Sequence, residues 1–181
     1  MGSLRKLLRN SLRNHVEHCE DNNTKCTLLV FYNNYEKGGT PFVVIRIDCG
    51  ITSESSLYTL LLFDIDWPSP DENSTNVYLH WAVHNLKSNI TVRQNKLKDE
   101  SSVEYRGVAA PYKSGKHKYV YLLFNQKQLI LKNETIHSWT STFEDQNVAN
   151  LLESVSSLGF RSIVGGTYFT SMWDNNCVDI V

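Results

Sequence analysis

The sequence contains no long hydrophobic run. Its longest uncharged apolar stretches are Leu28–Tyr32, Pro41–Ile45 and Leu60–Phe63. A membrane-spanning helix needs about 20 apolar residues in succession, so no such span is encoded. No excess of either charge is present: 18 basic against 19 acidic residues give a net charge of −1. Domains that bind nucleic-acid backbones carry a strongly basic balance, so nucleic acid is excluded as the main partner. The four cysteines, Cys19, Cys26, Cys49 and Cys177, form no C-x-x-C pair, which argues against zinc ribbons and dithiol redox motifs. With no secretory signal peptide, a reduced cytoplasmic setting is the expectation. Four prolines and nine glycines are too few for a low-complexity linker, and none divides the chain. The motifs G-x-S-x-G, H-E-x-x-H and G-x-G-x-x-G are absent. Gly115-Lys116 is followed by His117, with Ala110 where a phosphate loop needs its first glycine.

What is present suits one globular domain. The chain has 181 residues, 41% of them hydrophobic. A chain of this length buries roughly 70% of its unfolded surface and needs no disulfide or metal staple. Residues 1–26 form a basic amphipathic helix and linker: Arg5, Lys6, Arg9 and Arg13 accompany Leu4, Leu7, Leu8 and Leu12 at helical spacing. Such a helix packs on the domain, touches a membrane surface or serves as a mitochondrial presequence. Residues 27–181 read mainly as strands: Thr27–Tyr32, Phe42–Asp48, Leu57–Phe63, Tyr78–Asn85, Lys118–Asn125, Phe160–Val164 and Thr167–Phe169. Ser88–Ser102 reads as a polar loop. One late helix follows from the spacing of Val148, Leu151, Leu152, Val155 and Leu158. The predicted fold class is a β-rich α+β domain, an antiparallel sheet or sandwich with a few peripheral helices.

The residues that could carry chemistry sit at strand ends. Asp64 and Asp66 lie where a buried strand exits, and His80 faces the same way as Tyr78 and Ala82 under strict alternation. His117 and Tyr119 open a later strand, just after Pro111. His80 and His84 are separated by about 13 Å on a strand, at roughly 3.3 Å per residue, so one metal cannot bridge them. His84 and His137 are expected outside any shared pocket. If the three strand ends converge, they build a cavity in which imidazoles and a phenol donate to an anion while a carboxylate orients one imidazole. Anion binding would then strengthen as pH falls toward the imidazole pKa of about 6.5.

Three motifs in order sharpen this reading. Asp64-x-Asp66-x-Pro68-Ser69 is followed by His80 and Asn85, then by Gly107-x-x-x-Pro111-x-x-x-Gly115-x-His117-x-Tyr119. Near the end come Gly166-Thr167-Tyr168 and Trp173-Asp174. Together these resemble the phosphatidylethanolamine-binding protein family, also called Raf kinase inhibitor proteins, over roughly residues 27–176. The resemblance implies a central antiparallel sheet and a small pocket for phosphate-like groups formed by Asp64, Asp66, Tyr78, His80, Pro111, His117 and Tyr119. It also implies a rim used by protein partners. The chain departs from the family pattern at Ile65, Trp67, Ala109 and Ala110, which alters the rim. The implied function is a non-enzymatic binding or regulatory module for a phosphate-bearing small molecule or phospholipid head group, with no metal or cofactor. Two alternatives stand beside it: a structural subunit with a repurposed pocket, and a phosphoester hydrolase using the Asp/His cluster.

Overall fold

A computed structural model of the chain describes residues 26–33, 42–50, 56–70, 77–93, 101–130 and 160–173. Eight strands form among them: β1 (Thr27–Asn33), β2 (Phe42–Asp48), β3 (Tyr58–Asp64), β4 (Tyr78–Leu86), β5 (Ile90–Arg93), β6 (Ser101–Val103), β7 (Lys116–Gln126) and β8 (Phe160–Met172). They make two antiparallel sheets, one ordered β1-β2-β5 and the other β6-β4-β3-β7-β8. The three strands expected to be neighbours are so, with β3 between β4 and β7. The N-terminal helix and the helix over 148–158 lie outside the described residues.

Burial follows from strand position. In β2, Val43, Ile45 and Ile47 are buried while Arg46 and Asp48 are exposed, the alternation of a strand covered on one face. Every residue of central β3 is buried, which explains its nearly continuous apolar run. One core cluster lies between the sheets, joining Ile45 and Ile47 to Leu60, Leu62, Trp81, Val83, Tyr119 and Tyr121. A second, with Leu61, Phe63, Leu79, Ala82, Val120 and Phe124, occupies the other face of the large sheet. Fully burying one such side chain contributes about 1.5–3 kcal/mol.

The structure corrects several sequence expectations. The polar loop Ser88–Ser102 contains β5, which pairs with β2, and the start of β6. Asn89, with φ of 58°, turns the chain between β4 and β5; its side-chain oxygen accepts from the Cys49 amide at 3.3 Å. The two closing strands are one, β8, continuous through Gly165-Gly166. The cysteines are not all reduced: Cys26 and Cys49 form a disulfide. The β1–β2 register pairs Thr27 with Asp48, so the residues just beyond that rung are Cys26 and Cys49.

Far from β3's exit, an amide cluster fixes the sheet. Gln126 Oε1 accepts from Thr59 Oγ1 at 2.9 Å and from the Asn85 amide at 2.7 Å. Gln126 Nε2 donates to Asn85 Oδ1, which also accepts from the Ile130 amide. Asn85 sits at φ 58°, a left-handed conformation that asparagine tolerates better than most residues.

The sheets meet where the Cys26 amide donates to the Val164 carbonyl at 2.9 Å. The next residue, Gly165, has no room for a side chain: a Cβ there would lie 2.7 Å from the Cys26 carbonyl oxygen and 3.0 Å from Leu28 Cδ1. A Cβ at Gly107 would meet nothing within 4 Å. Gly165→Ala should therefore destabilise by about 1–3 kcal/mol, as overpacking does. Gly107→Ala should change stability by less than about 0.5 kcal/mol. Urea unfolding of the two variants checks the contrast.

Candidate functional site

Three strand ends meet at one corner of the large sheet. Asp64, the last residue of β3, shares its rung with Tyr78 of β4 on one side and Tyr119 of β7 on the other. Register alone thus brings three of the sequence-predicted residues together. His80 and His117 lie two positions from Tyr78 and Tyr119 on their own strands.

A β-bulge decides where His80 points. Leu62 pairs with Trp81 and Phe63 with Leu79, leaving His80 as the extra residue. A bulge bends the strand and re-aims side chains. Ala82 consequently joins the far-face cluster while Trp81 joins the inter-sheet core. The expectation that His80 and Ala82 share a face is overturned by this inserted residue. His84, two along from Ala82, takes the far-face parity, away from Tyr119. The His80 ring packs edge-on against Tyr78 at 4.8 Å and against Tyr119 at 5.3 Å. Tyr119 in turn stacks on Phe169 at 5.1 Å. Phe169 also lines an open apolar cleft of about 470 Å³ between β1 and β8, shared with Leu28, Val30, Tyr121 and Tyr168.

Asp64 and His117 are both completely buried and joined at 2.6 Å, Asp64 Oδ2 to His117 Nδ1. Asp64 Oδ1 accepts from the Asp66 amide at 2.9 Å. Burial raises the Asp64 carboxyl above its ordinary range, while the Asp66 amide and His117 pull the other way. The far nitrogen of His117, Nε2, lies 2.7 Å from Ser114 Oγ, and that hydroxyl lies 2.7 Å from the Pro111 carbonyl. A carbonyl only accepts, so Ser114 donates to Pro111 and accepts from His117 Nε2–H. One further proton is then shared between Nδ1 and Asp64. Carboxylate with imidazolium, or acid with neutral imidazole, carries the same zero net charge, which is what a dry site requires.

This chain has the members of a hydrolytic triad but the wrong proton direction. A nucleophilic serine must give its proton to the histidine; here the hydroxyl proton is aimed at Pro111. The arrangement is a brace. It is continued by Asp66 Oδ2, which accepts from the Lys118 amide at 3.0 Å, and by Ser69 Oγ, which donates to the Ser114 carbonyl at 3.0 Å. Asp66 Oδ2 and the Pro111 carbonyl oxygen, both on residues sequence-predicted to line the pocket, are engaged in these bonds. Ile65 is buried in the far-face cluster, not at the rim. Ala110 is buried and Ala109 exposed.

His80 is different. Nδ1 donates to the Arg106 carbonyl at 3.1 Å, which fixes the tautomer. Nε2 is buried and has no hydrogen-bond partner among the described residues. Burial is the main cause that lowers its pKa to about 4, so the ring is neutral at pH 7 and Nε2 is an acceptor. The expectation of a donor titrating near 6.5 is corrected by this desolvation. Tyr78, which packs on His80, also packs on Trp67 with ring centroids 4.9 Å apart and accepts from the exposed Arg106, whose Nη1 donates to Tyr78 Oη at 2.6 Å. Arg106 and Ser114 escaped the sequence reading. Their signal was adjacency to Gly107 and Gly115, the second of which turns the chain at φ 95° beside the site. Among the described residues no group of three His, Cys, Asp or Glu side chains is placed to hold a metal.

A family model described as phosphatidylethanolamine-binding protein matches residues 23–164. A rice (Oryza sativa subsp. japonica) protein, MOTHER of FT and TFL1 homolog 2, is 38% identical over 73 residues, 40% of this chain and 38% of its own length. Protein TWIN SISTER of FT from Arabidopsis thaliana is 28% identical over 133 residues, 72% of this chain and 67% of its own. The phosphatidylethanolamine-binding protein of Plasmodium falciparum superposes with a TM-score of 0.58 at 15% identity, covering 96% of this chain and 98% of that one. A carboxypeptidase Y inhibitor, solved in complex with its cognate proteinase, gives a TM-score of 0.50 at 18% identity over 75% of this chain and 72% of its own. The two structural likenesses speak to the fold alone.

Two stability measurements follow from the geometry. His117→Ala strands the Asp64 carboxyl in a dry site and should cost about 3–5 kcal/mol. The double variant Asp64→Asn/His117→Gln leaves no charge behind and should cost less than the two single changes summed. His80 is neutral in the fold down to about pH 4, whereas the unfolded chain takes up a proton below about 6.5. Its contribution to stability is therefore intact above 6.5 and lost as pH falls to 4, by about 3 kcal/mol. Unfolding free energies of His80→Gln at pH 7 and pH 4 should lack that component.

Proposed function

The chain belongs to the phosphatidylethanolamine-binding protein family, and from that premise we propose that it is a non-enzymatic binding module taking a phosphate-bearing head group at His80. The observation that carries this reading is the buried, unpartnered Nε2 of His80. An orphaned buried polar atom costs roughly 1–3 kcal/mol, and a ligand group that satisfies it recovers that cost. Tyr78 and Tyr119 wall the position on two sides, and the Arg106 guanidinium at its mouth supplies positive charge. Arg106 is exposed, so it is the part of the cover that moves aside and then closes on the anion. Asp64, Asp66, Pro111 and His117 act at one remove, holding the β3 exit and the turn before β7 in place.

Regulation of a protein partner through the altered rim is part of the same proposal. Trp67, Tyr112 and Lys113 stand at that rim: Tyr112 is exposed, and the Lys113 ammonium lies 4.9 Å from its ring. The hydrolase reading loses support from the direction of the Ser114 proton.

Titration with O-phosphoethanolamine, followed through the histidine ring resonances, tests the reading. His80 should respond to the ligand. His80→Ala should weaken binding by about 1.5–3 kcal/mol, the worth of a hydrogen bond to a charged group, and His84→Gln should leave it unchanged. A silent His80, or binding indifferent to its removal, would favour a structural subunit that has given up the pocket. Covalent labelling of Ser114 by an alkyl fluorophosphonate would restore the hydrolase reading.

A further inference from the structure

We propose that the His80 site selects anions that bring their own proton, so that it takes a phosphomonoester monoanion and discriminates against a sulfate ester of the same charge and shape. The inference rests on the head-group reading above and specifies which head groups qualify.

The argument is one of donors and acceptors. His80 Nδ1 is committed as a donor to the Arg106 carbonyl, and the Arg106 amide donates back to the His80 carbonyl at 2.8 Å. The ring is thereby clipped to the segment after β6 and cannot flip to exchange its nitrogens without breaking that contact. The nitrogen left inside, Nε2, presents a lone pair. A fully deprotonated anion brings only lone pairs of its own, and two acceptors repel. Relief requires a proton between them, carried by the ring or by the ligand.

The surroundings discourage the ring from carrying it. His80 is only 4% exposed. Burial is the largest cause of its low basicity, and the Arg106 charge and the His117 ring beside it oppose a further positive charge. The Arg106 and Gly107 carbonyls act in the opposite sense but do not prevail. Of the other titratable groups nearby, Tyr78 Oη accepts from Arg106, the Asp64 carboxyl is spent on His117, and the Tyr119 hydroxyl makes no hydrogen bond to Nε2. The ligand must then supply the proton. A phosphomonoester has its second ionisation at about 6, so below that pH it is a monoanion with one P–OH donor. A sulfate monoester is also a monoanion but has no proton to give. A primary ammonium would satisfy Nε2 too, but it would enter past the Arg106 cation, which disfavours it.

Methyl phosphate against methyl sulfate at pH 5 provides the test, by calorimetry on the full chain. At that pH the two probes differ by the proton and little else. Methyl phosphate should bind at least tenfold more tightly, about 1.4 kcal/mol. Its affinity should be level between pH 5 and 6, then fall about tenfold per unit at higher pH as the monoanion disappears. His80→Gln, whose amide can donate as well as accept, should bring the two probes within about threefold of one another. Equal binding of both probes by the unaltered chain would overturn the proposal while leaving the head-group site standing. Binding of neither would remove the site and the proposal together.

Discussion

A carboxyl and an imidazole with no access to water are bonded at 2.6 Å across 53 residues of sequence. Everything at this corner of the domain depends on that contact. Burying either group alone is prohibitive, so the end of β3 and the start of β7 must lie at the same level for both to be buried at all. Once they do, the remaining lone pairs and protons dictate the turns: Asp64 caps its own turn through the Asp66 amide, and His117 recruits Ser114, which recruits Pro111. The turn geometry is a consequence of satisfying one buried pair. A half-satisfied version would be worse than an apolar plug.

That accounting separates the roles of two histidines that look alike in the sequence. His117 has both nitrogens engaged and serves the architecture. His80 has one nitrogen held by a backbone carbonyl and one that takes no hydrogen bond among the described residues, and that leftover atom has unspent capacity for a ligand. The family pattern names both residues without distinguishing them; the hydrogen bonds of each ring do.

Much of the fold was legible in the sequence because it rests on period. β2 alternates, β3 is a nearly continuous apolar run, and each was readable to within a residue or so. The bulge at His80 was not, since one inserted residue leaves no compositional mark and yet reverses the parity of Trp81, Ala82 and Val83. β5 was hidden for a related reason: Ile90 and Val92 alternate correctly, but four residues among polar neighbours are too few to outweigh them. The site residues Asp64, Tyr78, His80, His117 and Tyr119 could be named from motif spacing. Their electrostatics could not, because the depressed basicity of His80 comes from burial by Tyr78, Tyr119 and Arg106, which only the folded chain brings together. Arg106 and Ser114 were passed over because neither residue type is diagnostic without its neighbours' positions.

The order in which the strands pair bears on how the protein is made. Central β3 waits for β7, emitted more than fifty residues later, before its second edge is covered. The amide of Cys26 finds its acceptor only when residue 164 has left the ribosome. Pairings this distant in sequence place such domains among the slow folders, in milliseconds to seconds. During synthesis at about 5–20 residues per second, the apolar edge of β3 therefore stands open for several seconds. A nascent chain of this design has reason to engage a chaperone between the emergence of β4 and that of β8.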